Sequence, residues 1–436
     1  MRPPDAADSG ETGEAAHDDG SIDETNSRRA GKQEPAGAGV DGTSSAESSQ
    51  FWTLCAAIGL MFVGHMMLAP LAPLYSVALG ASPAVIGLVI AAAFVLPLFI
   101  AIPAGSLVDR YGPRRILLMG TLLVGLSPFL VPLFPGFASL GLLQVFGGLG
   151  QLLAVVAAQS YVAGLGGGRA REQNFGWYST FISVGQLVGP LLAGVVVDLF
   201  GFEEAFALSG ALSLLAVVLV MRLKRHPQQT SGAMHRFPRP AQVKRLLRNP
   251  RVQLALLVSG TLMIPTLGYQ SFLPAYLDLL AYPATLIGAI ISLRALATIA
   301  VRPFMPRIIS AFGGRLRTLI VTTAMCVAAL AAISLGSIWT LVLVTILVGV
   351  GLGISQPLTM VTVVDGVDAA ERGTAFGLRL TANRSVQVVG PLLLGTIAQW
   401  VGYGAMFPIA AVVTSLTVAL LLFRREHFAS PESAES

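Results

Sequence analysis

The chain has 436 residues, of which 54% are hydrophobic and only 12% charged, with a mean hydropathy of +0.72 and a formal net charge of +5. Soluble domains carry about 25% charged residues, so this composition excludes an ordinary water-soluble globular domain. The apolar runs are roughly 20 residues long and do not alternate with polar residues, which excludes the strands of a membrane β-barrel.

In chain order, residues 1–50 hold eleven acids and four basic residues, a net of −7, with no apolar run. This segment reads as a disordered acidic tail. Twelve apolar spans follow, near 51–73, 84–107, 115–135, 138–165, 174–199, 205–223, 251–279, 284–304, 316–335, 339–364, 373–399 and 404–423. Each is long enough to cross about 30 Å of hydrocarbon as a helix. The expected fold is an all-α membrane protein of twelve transmembrane helices in two parallel six-helix repeats. The N-terminal half is 51–223 and the C-terminal half 251–423, joined by a basic linker, 224–250, and followed by a short tail, 424–436.

Of the 24 basic residues beyond the acidic tail, 21 lie in alternate loops, at 110–115, 169–171, 222–251, 302–317, 372 and 424–425. The intervening loops hold no Lys or Arg. The positive-inside rule then places the basic loops and both termini in the cytoplasm of a multi-pass cell-membrane protein, with the first span directing insertion. The linker is expected to touch anionic lipid in preference to nucleic acid. Cys55 and Cys326 fall inside spans and read as small buried hydrophobes.

A single offset of 201 residues aligns the halves. It brings Pro274 onto Pro73, Gly288 onto Gly87, Gly313 and Arg315 onto Gly112 and Arg114, and Gly349 and Gly351 onto Gly148 and Gly150. It also brings Gln387, Gly390, Pro391 and Gly395 onto Gln186, Gly189, Pro190 and Gly194. Repeats six spans apart have the same orientation in the membrane, an arrangement suited to alternating access by rocking of the halves.

Two motifs carry chemistry. Between spans two and three stands Gly105-Ser-Leu-Val-Asp109-Arg110-Tyr-Gly112-Pro-Arg114-Arg115. Gly105 permits close helix packing and Gly112 a tight turn, and Asp109 can pair with a cation or a helix N-terminus, so the loop reads as a conformational latch. In span five, Gly185-x-x-x-Gly189-Pro190-x-x-Ala193-Gly194 provides small residues four apart around a helix-kinking proline. The first motif resembles the loop signature of the major facilitator superfamily, and the second resembles the signature of its antiporters. The resemblance covers about 51–423 and implies the major facilitator fold and secondary active transport. The nearest likeness is to twelve-span drug:proton antiporters. One departure stands out: Gln144 occupies the position where such antiporters carry a membrane arginine, and no acid falls near the middle of a span.

Ionisable groups at bilayer depth are costly and face inward. Arg294 in span eight and Arg379 and Arg384 in span eleven are therefore candidates for an anion site, or alternatively for hydrogen bonding within the C-terminal half. Arg379, Asn383 and Gln387 follow an i, i+4, i+8 spacing that reads as one polar helix face. Ser179, Ser183 and Gln186 form a weaker stripe in span five. His65, the one histidine within a span, is a candidate proton carrier or a neutral helix residue. By the resemblance, Gln159, Tyr161, Tyr269 and Gln356 join the cavity candidates.

The sequence carries no nucleotide-binding loop, metal cluster or catalytic nucleophile pattern, so neither an enzyme nor a cofactor is expected. The expected partners are a small-molecule substrate, protons as coupling ion and the lipid bilayer, with no nucleic acid and a monomeric state. The leading expectation is proton-coupled efflux of small organic molecules. The alternatives are an organic-anion symporter or exchanger using the membrane arginines, and a non-transporting membrane sensor.

Overall fold

The computed structural model describes residues 45–165, 168–224, 240–365 and 372–423. Most of the acidic tail, much of the linker and the C-terminal tail lie outside the described residues. The described chain is helical, as the apolar runs require of a backbone that must satisfy its own hydrogen bonds in hydrocarbon.

The N-terminal half comprises α1 (Ser45–Ala78), α2 (Pro83–Tyr111), α3 (Pro113–Leu133), α4 (Phe137–Ala163), α5 (Gly168–Phe200) and α6 (Phe202–Met221). In the C-terminal half, α7 is interrupted. It runs as Pro250–Thr261, Met263–Leu267, a π-helical turn Gly268–Phe272 and Leu273–Leu279. Then come α8 (Ala284–Ala311), α9 (Arg315–Leu335) and α10 (Ile338–Asp365). The last helical stretch, Arg372–Phe423, is broken by Gly402, whose φ of 80° and ψ of 162° are not helical. The break makes two passes, α11 over 372–401 and α12 over 403–423. Only glycine adopts such a φ without strain, and Gly201, one repeat earlier, holds φ 109° at the equivalent turn between α5 and α6.

Two boundaries differ from the sequence reading. The first helix begins at Ser45, so its first turns come from the end of the polar tail. There the Gln50 side-chain oxygen accepts hydrogen bonds from the Lys224 backbone N–H and the Tyr161 hydroxyl, at 2.6 and 3.4 Å. The linker contains a short helix, Pro240–Arg248, which Pro240 can start because its missing N–H costs nothing in a first helical turn.

Two large apolar cores form, the second of which also takes in Leu74, Ile86 and Ile90 of the N-terminal half. One centres on Leu54, Ile58, Met61 and Leu117, and the other on Phe272, Ile287, Leu330 and Phe407. Outward, large apolar side chains remain exposed, including Leu88, Phe99, Leu199 and Leu416, as lipid contact demands. All four tryptophans sit toward helix ends: Trp52 and Trp177 at one end of the bundle, their rings 5.4 Å apart, and Trp339 and Trp400 at the other. That is the interfacial position such rings favour.

The halves meet along two related seams, α2 against α11 and α5 against α8. The 201-residue repeat is visible in their chemistry. Gly87 lies against the Pro391 carbonyl and Gly288 against that of Pro190, while Gly194 lies against the Ala284 carbonyl and Gly395 against that of Pro83. All four contacts fall toward the end whose loops lack Lys and Arg.

Candidate functional site

Between the halves lies a cavity of about 370 Å³, walled by α1, α2, α4, α5, α7 and α11. That volume falls in the range of about 300–1,000 Å³ typical of small-molecule sites. His65 and Met66 come from α1, Ala93 and Phe94 from α2, and Gln144 and Gln151 from α4. Gln186 comes from α5, Gln270 and Ser271 from the π-helical turn of α7, and Arg384 and Gln387 from α11. Among the described residues, five glutamine amides thus surround the space, with Arg384 as the one arginine and no carboxylate on the wall.

Arg384 Nη1 donates to Gln387 Oε1 at 3.0 Å, and Gln387 Nε2 reaches Met263 Sδ at 3.9 Å, so Gln387 steers the guanidinium. Among the described residues, the amides of Gln144, Gln151, Gln186 and Gln270 have no side-chain partner. His65 also faces this space, yet its buried Nδ1 has no hydrogen-bond partner.

Of the residues singled out from sequence, His65, Gln144, Gln186, Arg384 and Gln387 come together on this wall. Arg294, Arg379 and Asn383 stand behind it. Arg294 of α8 lies over the Tyr269 ring, 5.8 Å from its centroid, with its Nε unpartnered. The Tyr269 hydroxyl lies 2.7 Å from Thr345 Oγ1 and donates to the Ile290 carbonyl at 3.2 Å, tying α7 to α10 and α8. Arg379 is buried and turns to α10, donating to the Gln356 carbonyl at 3.3 Å and to Thr359 Oγ1 at 3.1 Å. Asn383 Oδ1 accepts from Ser259 of α7 at 3.0 Å. The expected common face of Arg379, Asn383 and Gln387 therefore divides three ways. Eight helical residues span about 800°, so the ends of the stripe differ by about 80°.

Gln159, Tyr161, Tyr269 and Gln356, expected in the cavity from the family likeness, are not on its wall. Tyr161 is buried beneath the end of α6, where its hydroxyl donates to the Lys224 carbonyl at 3.1 Å. Gln159 is exposed.

Gln151 and Gln270 escaped the sequence reading. Gln151 was detectable, because Gln144, Gly148 and Gln151 fall within one narrow helix face. Gln270 was not, since its place depends on the π-helical turn that rotates it onto the wall.

The span-five motif is a packing device on two sides. Gly185 and Gly189 admit α1, at Phe62, Val63 and Met66, while Pro190 and Gly194 meet α8 across the seam. The Leu191 N–H donates to Ser292 Oγ of α8 at 3.1 Å. Nearby, the Asp198 carboxylate at the end of α5 accepts from the first N–H groups of α8, Ala284 at 3.0 Å and Thr285 at 2.7 Å. A carboxylate at a helix N-terminus meets unpaired N–H groups and the positive end of the dipole.

Toward the basic end three glycines stand clear of their neighbours. Gly176 on α5 and Gly377 on α11, one repeat apart, have open space where a side chain would be, and so does Gly105 on α2. In the loop that follows, Gly112 turns the chain with φ 84°. There Arg114 donates to the Met221 carbonyl at 2.6 Å, capping the end of α6. The Arg110 guanidinium sits 5.3 Å from the Tyr111 ring centroid. Asp109, Arg110 and Arg115 are exposed.

The sequence matches the family model described as Major Facilitator Superfamily over residues 54–386 and 280–436. It is 28% identical over 187 residues to the quinolone resistance protein NorA of Staphylococcus aureus, covering 42% of this chain and 48% of that protein. An uncharacterized MFS-type transporter of Methanocaldococcus jannaschii is 26% identical over 157 residues, 36% of this chain and 41% of that one. The chain thus spans about half the length of the curated relatives it matches. Among solved structures, the nucleoside transporter NupG superposes with a TM-score of 0.75 at 16% identity, over 86% of this chain and 99% of that one. A bacterial homolog of the human lysosomal transporter Spinster gives 0.71 at 17% identity, over 89% of this chain and all of that one. At such identities these structures speak for the fold alone. The chain belongs to the Major Facilitator Superfamily and is a multi-pass membrane protein.

Proposed function

We propose that this protein is a secondary active exporter of small organic molecules that works by alternating access. The observation that carries the reading is a polar cavity between two repeated halves, with tight glycine seams toward one end and open space at Gly105, Gly176 and Gly377 toward the other, which we read as the parted end. A rigid rocking that exchanges the closed and open ends would carry a ligand across without opening both at once. The positive-inside rule assigns the parted, basic end to the cytoplasm, with both termini on that side. In this conformation the substrate enters from the cytoplasm. The Gly105–Arg115 loop lies at the parted end, and Asp109 is the residue we assign to latch that end when it closes. The likeness to a quinolone resistance protein supports an outward direction and a drug-like cargo. Protons are the proposed coupling ion, and His65 is the candidate carrier because an imidazole can take up and release a proton and this one stands on the wall.

The test is accumulation in an efflux-deficient host, using a panel of dyes, antibiotics and organic acids with and without a protonophore. Lower accumulation that the protonophore restores supports the reading. Raised accumulation of any compound class by the expressed protein would reverse the direction and refute it.

A further inference from the structure

We infer that the cavity selects organic monoanions and that Arg384 is the anchor for their carboxylate. The inference rests on the transport reading above and names the substrate class of the same cavity. Among the described residues, Arg384 is the one fixed charge on the wall, and no Asp or Glu stands there to neutralise it. Its single described hydrogen bond, to Gln387 Oε1 at 3.0 Å, uses one N–H and holds the planar fork in place. Among the described residues no partner takes the remaining donors, and a guanidinium fork matches a carboxylate with two parallel bonds. A cationic ligand would meet like charge in a space of low dielectric, with nothing on the wall to offset it.

The rest of the wall is suited to the body of such a molecule. Gln144, Gln151, Gln186 and Gln270 each present a donor and an acceptor that no described side chain satisfies. Amides of this kind bind carbonyl, hydroxyl and amine groups alike, so they tolerate varied cargo while Arg384 fixes one end. Met66 and Phe94 supply apolar contact. The two arginines behind the wall do not share this role, because Arg379 is engaged by α10 and Arg294 lies over Tyr269.

Full-length purified protein in nanodiscs would be titrated calorimetrically with 2-naphthoate, the uncharged 2-naphthamide and the cationic 2-naphthylmethylammonium. Wild type is expected to bind the carboxylate roughly tenfold or more above the amide, as one charge-assisted pair provides, and the ammonium most weakly. Arg384→Gln should abolish that preference, with a monodisperse elution profile and an unchanged circular dichroism spectrum reporting that the variant is folded. Gln387→Ala keeps the charge but loses its orientation, so it should reduce the preference by a smaller factor and serves if Arg384→Gln does not fold. Equal or stronger binding of the amide or the ammonium by wild type overturns the inference, as does a carboxylate preference that survives Arg384→Gln. Outward transport of neutral and cationic compounds by a protein that does not bind naphthoate would sink this inference and leave the export reading standing. Tight, Arg384-dependent naphthoate binding with no outward transport of any compound would do the reverse.

Discussion

Replacing Gly395 with alanine would test whether the glycine seams hold one end of the transporter shut. A Cβ built at Gly395 falls 2.6 Å from the Pro83 carbonyl oxygen, with Gly87 and Ala84 Cα atoms at 3.2 and 3.3 Å. These neighbours are backbone and cannot swing away. Ordinary contact begins at 3.4 Å, so α2 and α11 must part by about 0.8 Å at that point. Forcing a methyl group into a closed interface costs about 1–3 kcal/mol. The helix interiors are otherwise undisturbed, so the cost falls mainly on the conformation in which the seam is closed. The ratio of closed to open forms of that end should drop roughly 5- to 150-fold. Spin labels at Ala78 and Val401, exposed positions flanking that end, would report the change by pulsed dipolar spectroscopy. The native Cys55 and Cys326 are buried, which favours selective labelling. Gly377→Ala is the control, because nothing stands within 4 Å of its Cβ position. An unchanged distance distribution in folded Gly395→Ala, or an equal shift in the control, would refute the argument.

Three further perturbations separate the remaining roles. Asp198→Asn keeps an oxygen acceptor but removes the charge from the α8 N-terminus, worth about 1 kcal/mol at a solvent-accessible helix end; the same label pair should show a roughly fivefold shift toward the open form, smaller than for Gly395→Ala. Arg294→Met removes a cation–π contact worth about 0.5–2 kcal/mol and a buried charge together, so thermal unfolding in detergent should move by only a few degrees while transport of neutral compounds persists; loss of that transport in a folded variant would place Arg294 in the substrate path. His65→Gln should leave ligand binding in place but remove the protonophore sensitivity of efflux, and retained sensitivity would exclude His65 as the proton carrier.

Hydropathy was enough to count the passes, because hydrocarbon forces every span into a helix of about 20 residues whatever its neighbours do. The offset of 201 residues was equally plain, and the seams follow it: Gly87 with Gly288 and Gly194 with Gly395 are repeat partners in sequence and make equivalent contacts in the fold. The site was only partly readable. Charge at bilayer depth flagged Arg294, Arg379 and Arg384 alike, since the energetic penalty is the same for each. Which of them meets the cavity depends on helix rotation and on what lies behind. Tyr269 lies beneath the Arg294 guanidinium, Gln356 and Thr359 take Arg379, and Arg384 is left facing the space between the halves. Gln270 reaches the wall through a π-helical turn, and Asp198 finds the α8 N-terminus across the seam, 86 residues away along the chain. Sequence by itself fixes the composition of each helix because the bilayer acts on residues one span at a time; tertiary structure decides their partners because the facing of each helix is set by packing against all the others.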